Sequence, residues 1–271
     1  MEMLQITPVG IVHSPYNDPA TIPVQNYSVT IEVFPAYVQG LWGIEAHSHL
    51  WILSWFHKAR RDLLRTVPGR VNPDAPEYGV FGLRAAGRPN PIGLSLVELV
   101  KVEDNILHVR GLDAIDGSPV VDIKPYFEHD IIFSPRAPYI RPKDRVMRYR
   151  MLFKQAYNHH QEECRDFQLA LRMAMVAVDE FGKLNSPELK VSVKGSGCLA
   201  DTIQGLSRAR LANPARFEYQ ESAKSVVNWS NGTKGLSISL VGNPTVEELL
   251  DLDSTDFLEI KVLGKDGGVY V

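Results

Sequence analysis

The sequence has 271 residues, of which 44% are hydrophobic, and its formal net charge is −3 at pH 7. This length is sufficient for two domains with hydrophobic cores, and the near balance of charge argues against a generally basic nucleic-acid-binding surface. The two cysteines exclude a disulfide-rich secreted scaffold and favour a reducing, cytoplasmic setting.

Neither a leader nor a membrane segment is predicted. The first sixteen residues contain no basic region followed by an apolar run, so we expect no signal peptide. The apolar run 49–56 is far shorter than the roughly 20 residues that a membrane helix needs. We therefore expect a soluble intracellular protein.

The first half of the chain has the pattern of short strands separated by turns. Turn-forming residues at 103–105 and 116–119 interrupt the apolar runs. Many short strands with tight connections indicate a barrel or sandwich, so the prediction is a mainly β amino-terminal domain over 1–138. The predicted elements are strands over 29–34, 50–56, 94–102, 106–112 and 120–127, with a short helix over 36–46.

A segment rich in proline and arginine follows, and residues 139–154 are predicted to be an inter-domain linker. Two interpretations of its arginines remain open at this point, a solvated spacer or a basic surface for an anionic partner.

Residues 155–271 have the pattern of a smaller α+β domain. Apolar residues recur at helical spacing from Phe167 to Phe181, and Gly182 is placed to end that helix. The other predicted elements are a strand over 188–193, a helix over 198–212, a hairpin joining 225–229 to 236–241, a capping box of Thr245 and Glu248, and a hairpin with its turn at 265–268.

Several common sites are excluded by their missing motifs. The sequence has no Gly-x-Gly-x-x-Gly after a strand, no Walker loop, no His-Glu-x-x-His and no Gly-x-Ser-x-Gly. Dinucleotide, P-loop nucleotide, zincin and α/β-hydrolase sites are therefore not predicted.

An arginine-proline segment precedes the strand at 94–102. Pro89 and Pro91 cannot donate ladder hydrogen bonds, so this segment is predicted to be a stiff loop that turns its side chains outward. Arg84 and Arg88 on such a loop could hold a carboxylate or a planar ring, or they could be solvated arginines of a structural loop. The residue types alone leave both interpretations open.

Three polar side chains alternate along the last strand of the first domain. Asp122, Lys124 and Tyr126 are predicted to share one face of it, with Val121 and Ile123 on the other. This set could bind a polar substrate or move a proton, or it could be a solvent-facing set of paired charges.

Four blocks of the first domain closely resemble the TsaA/TrmO family (the YaeB-like proteins). They are VGIVHSPY, GIEAHSHLWILSWFH, VFGLRAAGRPNPIGLSLVEL and GLDAIDGSPVVDIKPY, in family order across about residues 5–135. The resemblance implies a small β-barrel that binds S-adenosylmethionine, acts as a homodimer, and methylates the exocyclic amine of threonylcarbamoyladenosine beside the tRNA anticodon.

The resemblance also implies which residues bind the methyl donor and which face the acceptor. Asp122, Lys124 and Tyr126 would face the acceptor, with Asp122 as the candidate base. The implied donor-binding residues are Ser14, Pro15, Tyr16, Ser48, His49, Arg84, Arg88, Asn90, Leu94, Asp113, Ala114, Ile115 and Asp116.

The second domain resembles, more faintly, the E-type domain of formylmethanofuran dehydrogenase. The matching residues are His160, Cys164 and Cys198, although Gln161 and Glu162 replace the family's Gly-His. An imidazole and two thiolates are suitable ligands for zinc or another transition metal. Two buried free cysteines are the alternative interpretation.

Two alternative functions remain open beside tRNA methylation. In the segment beginning at Arg84, Ala85-Ala86 replaces the family's Ser-Pro, which weakens the tRNA assignment more than the donor assignment. The alternatives are a methyltransferase for a small-molecule or metal-bound acceptor presented by the second domain, and a non-catalytic S-adenosylmethionine sensor.

Overall fold

The computed structural model describes residues 5–23, 27–133, 135, 137–264 and 269–270. The chain divides into two compact units, 1–132 and 133–271. Within the described residues, no helix combines the length and the apolarity that crossing a membrane would require.

The first unit contains a closed, six-stranded antiparallel barrel with the strand order β1-β2-β7-β6-β3-β8. The predicted mainly β fold is therefore confirmed. Its strands are β1 (Gly10–His13), β2 (Ser28–Val33), β3 (His49–Trp55), β6 (Ile92–Glu103), β7 (Ile106–Arg110) and β8 (Pro119–Pro125), while β4 (Arg65–Thr66) and β5 (Tyr78–Gly79) form a separate two-stranded ribbon.

The barrel interior is filled by alternate side chains, as the two-residue period of a strand requires. On β3, Leu50, Ile52 and Ser54 are fully buried, whereas Trp51 and Leu53 face outward and are partly exposed. Each buried aliphatic side chain contributes about 1.5–3 kcal/mol by leaving water. The barrel is thus a packed core, and ligands must bind at its ends or on its outer wall.

The predicted helix over 36–46 is wrong in type. The structure has two 3-10 segments there, Pro35–Leu41 and Ile44–Ala46. Trp42 leaves helical geometry with ψ 120°, and Gly43 has φ 78°, a left-handed value that glycine adopts without a Cβ penalty.

Over its described residues, the second unit has a six-stranded sheet with the order β10-β9-β11-β12-β13-β14 and four helices. β9 and β10 are parallel, and α3 is the helical crossover between them. The elements are α1 (Arg145–His160), α2 (Arg165–Phe181), β9 (Lys190–Gly195), α3 (Gly197–Ser207), β10 (Phe217–Glu221), β11 (Val226–Ser230), β12 (Gly235–Leu240), α4 (Val246–Leu250), β13 (Leu258–Leu263) and β14 (Val269–Tyr270).

The predicted linker, 139–154, overlaps the first ten residues of α1. Asp144 begins this helix because its side chain accepts a hydrogen bond of 2.6 Å from the Met147 amide. Arg148 forms an ion pair with Asp179 of α2, so at least one arginine of the segment belongs to the packed unit. The linker interpretation is therefore wrong from residue 145 onward.

Most other expectations for the second unit are confirmed. α2 follows the predicted apolar period and ends at Gly182, and the capping box of Thr245 and Glu248 is present. The hairpin of β11 and β12 is also formed.

Two expectations for this unit have a different outcome. α3 ends at Ser207, short of the predicted 212, because Arg208 takes a left-handed φ of 53°. β13 and β14 pair as a hairpin, but its predicted turn at 265–268 lies outside the described residues.

Candidate functional site

Most of the implied donor-binding residues lie at one end of the barrel. At this end β1, β3 and β7 finish while β2, β6 and β8 begin. We call it the loop end. It collects the segments 14–16, 56–61, 84–91 and 111–118.

Hydrogen bonds fasten the segment after β1 to the segment before β8. The Ser14 amide donates to Asp116 Oδ1 at 2.9 Å, and the Asp116 amide donates to the Tyr16 carbonyl at 2.8 Å. Ala114 and Ile115 have buried side chains that belong to the barrel core. These two residues can therefore reach a ligand through their backbones, whereas Asp116 and Ser14 present side chains.

Asp113 is the exposed carboxylate of this end. Its backbone amide lies 3.4 Å from Ser95 Oγ, and its Oδ1 lies 3.6 Å from an Arg70 nitrogen. Arg70 also donates to the Ile22 carbonyl at 2.6 Å, so it ties a third segment to the loop end. Arg70 was missed by the sequence analysis, since nothing in the residues around it indicates a partner 43 positions away.

Tyr27 completes the packing below this carboxylate. Its hydroxyl donates to the Leu112 carbonyl, and its ring meets Tyr16 edge-on at 5.5 Å. Burial, followed by the neighbouring charge of Asp113, raises the pKa of Tyr27 well above its usual range. Tyr27 therefore stays neutral and acts as a fixed donor that holds the start of the 112–116 segment.

The arginine-proline loop separates the roles of its two arginines. Arg88 donates to the carbonyls of Ala85, Leu83 and Val80 at 2.8, 2.6 and 2.9 Å. Its N–H groups are thus used within the loop, and Arg88 braces it. Arg84 is exposed, and no hydrogen bond or ion pair of its guanidinium occurs within the described residues. Arg84 is the arginine available to a ligand.

The residues present at the loop end fit a donor that carries a carboxylate and ribose hydroxyls. Arg84 offers a free fork of donors, and Asp113 offers an exposed acceptor. The buried hydroxyls of Ser54 and Ser118, near the same end, have no hydrogen-bond partner within the described part of the chain. Orphaned buried hydroxyls of this kind call for a polar ligand or water.

The three predicted acceptor-facing residues lie along the outer wall, from Asp122 near the loop end to Tyr126, whose amide donates to the His49 carbonyl where β3 begins. Cross-strand pairing sets Leu94, Leu53 and Asp122 in one row, and the next row contains Trp51 and Lys124. Two strand spacings place Leu94 and Asp122 about 10 Å apart. Tyr126 lies beyond, with its ring edge-on to Trp51 at 6.0 Å. The shared face predicted for Asp122, Lys124 and Tyr126 is therefore present, but a bulge in β8 turns Val120, and not the predicted Val121, into the barrel core beside Ile123.

Asp122 is held in a fixed orientation. Its Oδ1 accepts from the Ile123 amide at 2.9 Å and its Oδ2 lies 2.7 Å from Lys124 Nζ. Asp122 also lines a cleft of about 510 Å³, together with His47 and mostly apolar residues of the 36–44 segment. A cleft of this volume lies in the range of small-ligand sites.

Ser48 and His49 are not brought together with the other implied donor residues. They lie where β3 begins, and six residue steps separate His49 from Trp55 at the loop end, or about 20 Å. Within one chain, Ser48 and His49 therefore lie away from the other implied donor residues. The sequence block that contains Ser48 and His49 includes all of β3. Its resemblance to the family therefore does not show which end of this strand lies near the ligand.

A local basic stretch emerges from the loop end despite the acidic total. Residues 57–70 contain five lysines and arginines and one aspartate. Arg61 lies over the Trp55 ring at 5.4 Å, which fixes its charge beside the outer wall. The net charge of the whole chain conceals this stretch, and the sequence analysis considered a basic surface only for the arginine-rich segment at 139–154.

A second cluster lies in the other unit, where α1 ends and α2 and α3 begin. The ligand atoms of His160, Cys164 and Cys198 lie within 4.8 Å of one another. The three residues predicted to bind a metal are therefore close in space. Burial raises the pKa of Cys198, and the negative groups Cys164, Asp166 and Glu162 raise it further.

Close packing of α1 on α3 positions this cluster. A Cβ placed on Gly205 would lie 2.7 Å from the Cβ of His159, the neighbour of His160. We expect Gly205→Ala to lower the free energy of unfolding of this unit by about 1–3 kcal/mol, because the extra methyl group must push α1 away. Urea denaturation followed by hydrogen exchange of α1 and α3 peptides measures the loss.

Gly197→Ala is the matched control, since a Cβ at Gly197 in the same helix meets nothing within 4 Å. It should leave stability unchanged or slightly higher. Equal effects of the two substitutions would show that the α1–α3 approach is not tight.

Comparisons with known proteins find relatives of the first unit. A family model described as the tRNA-methyltransferase O N-terminal domain matches residues 11–130. A protein of Methanothermobacter thermautotrophicus named "Probable S-adenosyl-L-methionine-binding protein" is 46% identical over 129 residues, which cover 46% of this chain and 91% of that protein.

Two longer relatives are matched over part of their length. A protein of Archaeoglobus fulgidus with the same name is 34% identical over 224 residues, covering 79% of this chain and 60% of the relative. The tRNA (adenine(37)-N6)-methyltransferase of Escherichia coli is 40% identical over 139 residues, covering 46% of this chain and 59% of that enzyme. The chain thus spans about three fifths of each of these two proteins.

Proposed function

Because this chain belongs to the TsaA/TrmO family, we propose that it is an S-adenosylmethionine-dependent methyltransferase that methylates the exocyclic amine of threonylcarbamoyladenosine beside the tRNA anticodon. The observation that carries the proposal is the convergence of four loops at the loop end, within the region that the family model matches. The relative from Escherichia coli, named as a tRNA adenine methyltransferase, supports the acceptor.

In this proposal the donor binds at the loop end. Arg84 pairs with the donor carboxylate, and Asp113 or Asp116 accepts hydrogen bonds from the ribose hydroxyls. Leu94, which is 47% exposed, offers an apolar contact beside them. Arg88 keeps the loop in shape before the donor arrives, which reduces the ordering cost of binding.

The acceptor amine is placed against the outer wall. S-adenosylmethionine supplies an electrophilic methyl group on a sulfonium centre. The protein must hold the amine in line with that methyl group at about 3 Å, and a group nearby must take the proton that the amine loses. Asp122 is assigned as that base, while Lys124 and Tyr126 position the acceptor.

The basic stretch 57–70 is proposed to contact the tRNA backbone. It lies at the same end as the donor loops, and Arg61 is held over Trp55 of the outer wall. Phosphate contacts of this kind make affinity fall steeply with salt. Together with the tRNA acceptor, a cytoplasmic location is proposed.

We further propose a homodimer. β6 turns Leu94, Leu96 and Val100 outward, with exposures of 47, 36 and 44%. Apolar side chains on an outer wall suit burial against a second copy, which would also let Ser48 and His49 of one chain approach the loop end of the other. Sedimentation velocity of the full chain tests this, and a monomer at all concentrations would reject it.

The function is tested by incubating the full chain with labelled donor and tRNA from a strain that lacks the methyl mark. Nucleoside mass spectrometry should show N6-methylated threonylcarbamoyladenosine. tRNA from a strain that cannot form the threonylcarbamoyl group is the matched control and should stay unmodified. Transfer to a small molecule of the cell extract, with no transfer to tRNA, would replace the acceptor but keep the donor site.

Arg84→Ala is expected to weaken S-adenosylmethionine binding by about 1.5–3 kcal/mol, the value of a hydrogen bond to a charged group. Calorimetric titration of the full chain measures it. Arg65→Ala is the control, because Arg65 is an equally exposed arginine whose partner is Glu77 at 3.1 Å. If both variants bound S-adenosylmethionine with unchanged affinity, the donor would not bind at the loop that carries Arg84.

A protein that binds the donor without turnover is the second candidate function. It is favoured by the names of the archaeal relatives, which mention S-adenosyl-L-methionine binding. Donor binding by calorimetry together with no methyl transfer to tRNA or to cell extract would select it.

A further inference from the structure

We propose that His160, Cys164 and Cys198 bind a Zn²⁺ ion as its three protein ligands, with the fourth position left to an exchangeable ligand. The proposal concerns the second unit alone and goes beyond the methyltransferase function. It rests on the distances and hydrogen bonds of the cluster.

The spacing of the ligand atoms suits a tetrahedral ion. His160 Nε2 and Cys164 Sγ are 3.7 Å apart, and Cys198 Sγ lies within 4.8 Å of both. A tetrahedron with Zn–S bonds of about 2.3 Å and Zn–N bonds of about 2.0 Å has an S–N edge of about 3.5 Å. Small side-chain rotations therefore close the three atoms around one ion.

Asp201 orients the imidazole of His160 from the side opposite to the sulfurs. His160 Nδ1 lies 2.7 Å from Asp201 Oδ2, which leaves Nε2 to face the sulfur of Cys164. The side chain of His160 is only 8% exposed, so this orientation is fixed by packing. A carboxylate on the far nitrogen is the usual support of a zinc-bound histidine, because it fixes the tautomer and raises the basicity of the ring.

Both sulfurs lie at helix N-termini. Cys164 is the N-cap of α2 and its sulfur accepts from the Phe167 amide at 3.4 Å, while Cys198 is the second residue of α3. The nearby carboxylates Asp166 and Glu162 add negative charge that favours a cation beside the two sulfurs. Two thiolates and an imidazole select zinc over magnesium or calcium, which take oxygen ligands.

The test uses the full chain, stripped of metal under reducing conditions and titrated with Zn²⁺ against a chromophoric chelator. We expect one tightly bound ion per chain. Co²⁺ in its place should give a thiolate-to-cobalt charge-transfer band, which a site made of carboxylates would not show. Cys164→Ser and Cys198→Ser should each weaken that band, because each removes one of the two thiolates, and the double variant should abolish it.

Asp201→Asn provides a variant that keeps the ligands and the shape of the side chain. It should lower zinc affinity 10–100-fold with unchanged stoichiometry. His159→Gln is the matched control. His159 bonds the other oxygen of Asp201 at 3.1 Å, so its loss should change the affinity far less.

Two results would overturn the proposal. One is reduced, folded protein that takes up neither Zn²⁺ nor Co²⁺. The other is metal binding that persists with the same spectrum in both cysteine variants, since the ion would then lie elsewhere. Neither result bears on tRNA methylation, because the proposed methylation site lies in the first unit and its activity is measured separately by nucleoside mass spectrometry.

Discussion

Asp122→Asn should lower the rate constant of methyl transfer by about 10²–10⁴-fold, the usual contribution of a general base. The amine of the acceptor must lose a proton as the new N–C bond forms, and asparagine cannot accept it. The change keeps the size of the side chain, and the Ile123 amide can still donate to its oxygen. Donor affinity should stay unchanged, because the donor contacts proposed above do not include Asp122.

Single-turnover kinetics with saturating tRNA measures this rate constant without product release. Asp130→Asn is a control of the same chemistry, since Asp130 is an acidic residue that accepts from the Phe127 amide at 3.1 Å and has no proposed catalytic role. Lys124→Met distinguishes the role of Asp122 as a base from its role in an ion pair. It removes the ion pair, in which Lys124 Nζ lies 2.7 Å from Asp122, but keeps the carboxylate. A rate for Asp122→Asn within a few fold of the wild-type value would mean that solvent takes the proton.

The fold of the first unit was accessible to sequence reasoning because its strands are short and its turns are strong. The apolar run at 50–56 and the turn at 103–105 constrain β3 and the β6–β7 hairpin, and the structure shifts their ends by one or two residues. The helix predicted over 36–46 is wrong because Gly43 interrupts an otherwise helical pattern by adopting a positive φ. The sequence does not show that this glycine takes the left-handed conformation.

The candidate site was accessible only in part. Sequence order shows that Asp122, Lys124 and Tyr126 share a face, because strand residues alternate between the two faces, but it does not show the bulge in β8 that turns Val120 inward. It does not show which end of a barrel strand is near a given loop, so Ser48 and His49 were grouped with residues about 20 Å away. That information arises from the closure of the barrel, which is a long-range property.

The role of Arg88 illustrates the same limit. Its residue type and its proline neighbours fit a ligand-binding arginine, as those of Arg84 do. The structure separates them because Arg88 reaches back over one turn to the carbonyls of Val80 and Leu83, whereas Arg84 points to solvent. The amino-acid types in a sequence do not show which backbone carbonyls will lack a backbone hydrogen-bond donor and accept from an arginine instead.

Arg172→Met should lower the free energy of unfolding of the second unit by about 3–5 kcal/mol, because it removes a buried charged donor from several carbonyls, at about 1.5–3 kcal/mol for each such hydrogen bond. Arg172 lies in the middle of α2 and is 2% exposed. Its guanidinium donates to the carbonyls of Asp251 at 2.6 Å, Leu252 at 3.3 Å and Ser254, just after α4 ends. Burial lowers the pKa of Arg172, but the side chain remains charged at neutral pH.

Methionine fills much of the same volume but leaves these partly buried carbonyls without their donor, which costs up to about 1–3 kcal/mol for a group that water does not reach. The segment after α4 should then detach from α2. Urea denaturation with hydrogen exchange of α2 and 249–257 peptides measures both effects. Arg210→Met, at an exposed arginine of the same unit, should stay within about 0.5 kcal/mol of the wild type. A loss of this size is a large fraction of the stability of a small domain, so unfolding experiments should resolve it. If Arg172→Met and Arg210→Met were equally stable, the result would show that water replaces the Arg172 guanidinium at these carbonyls.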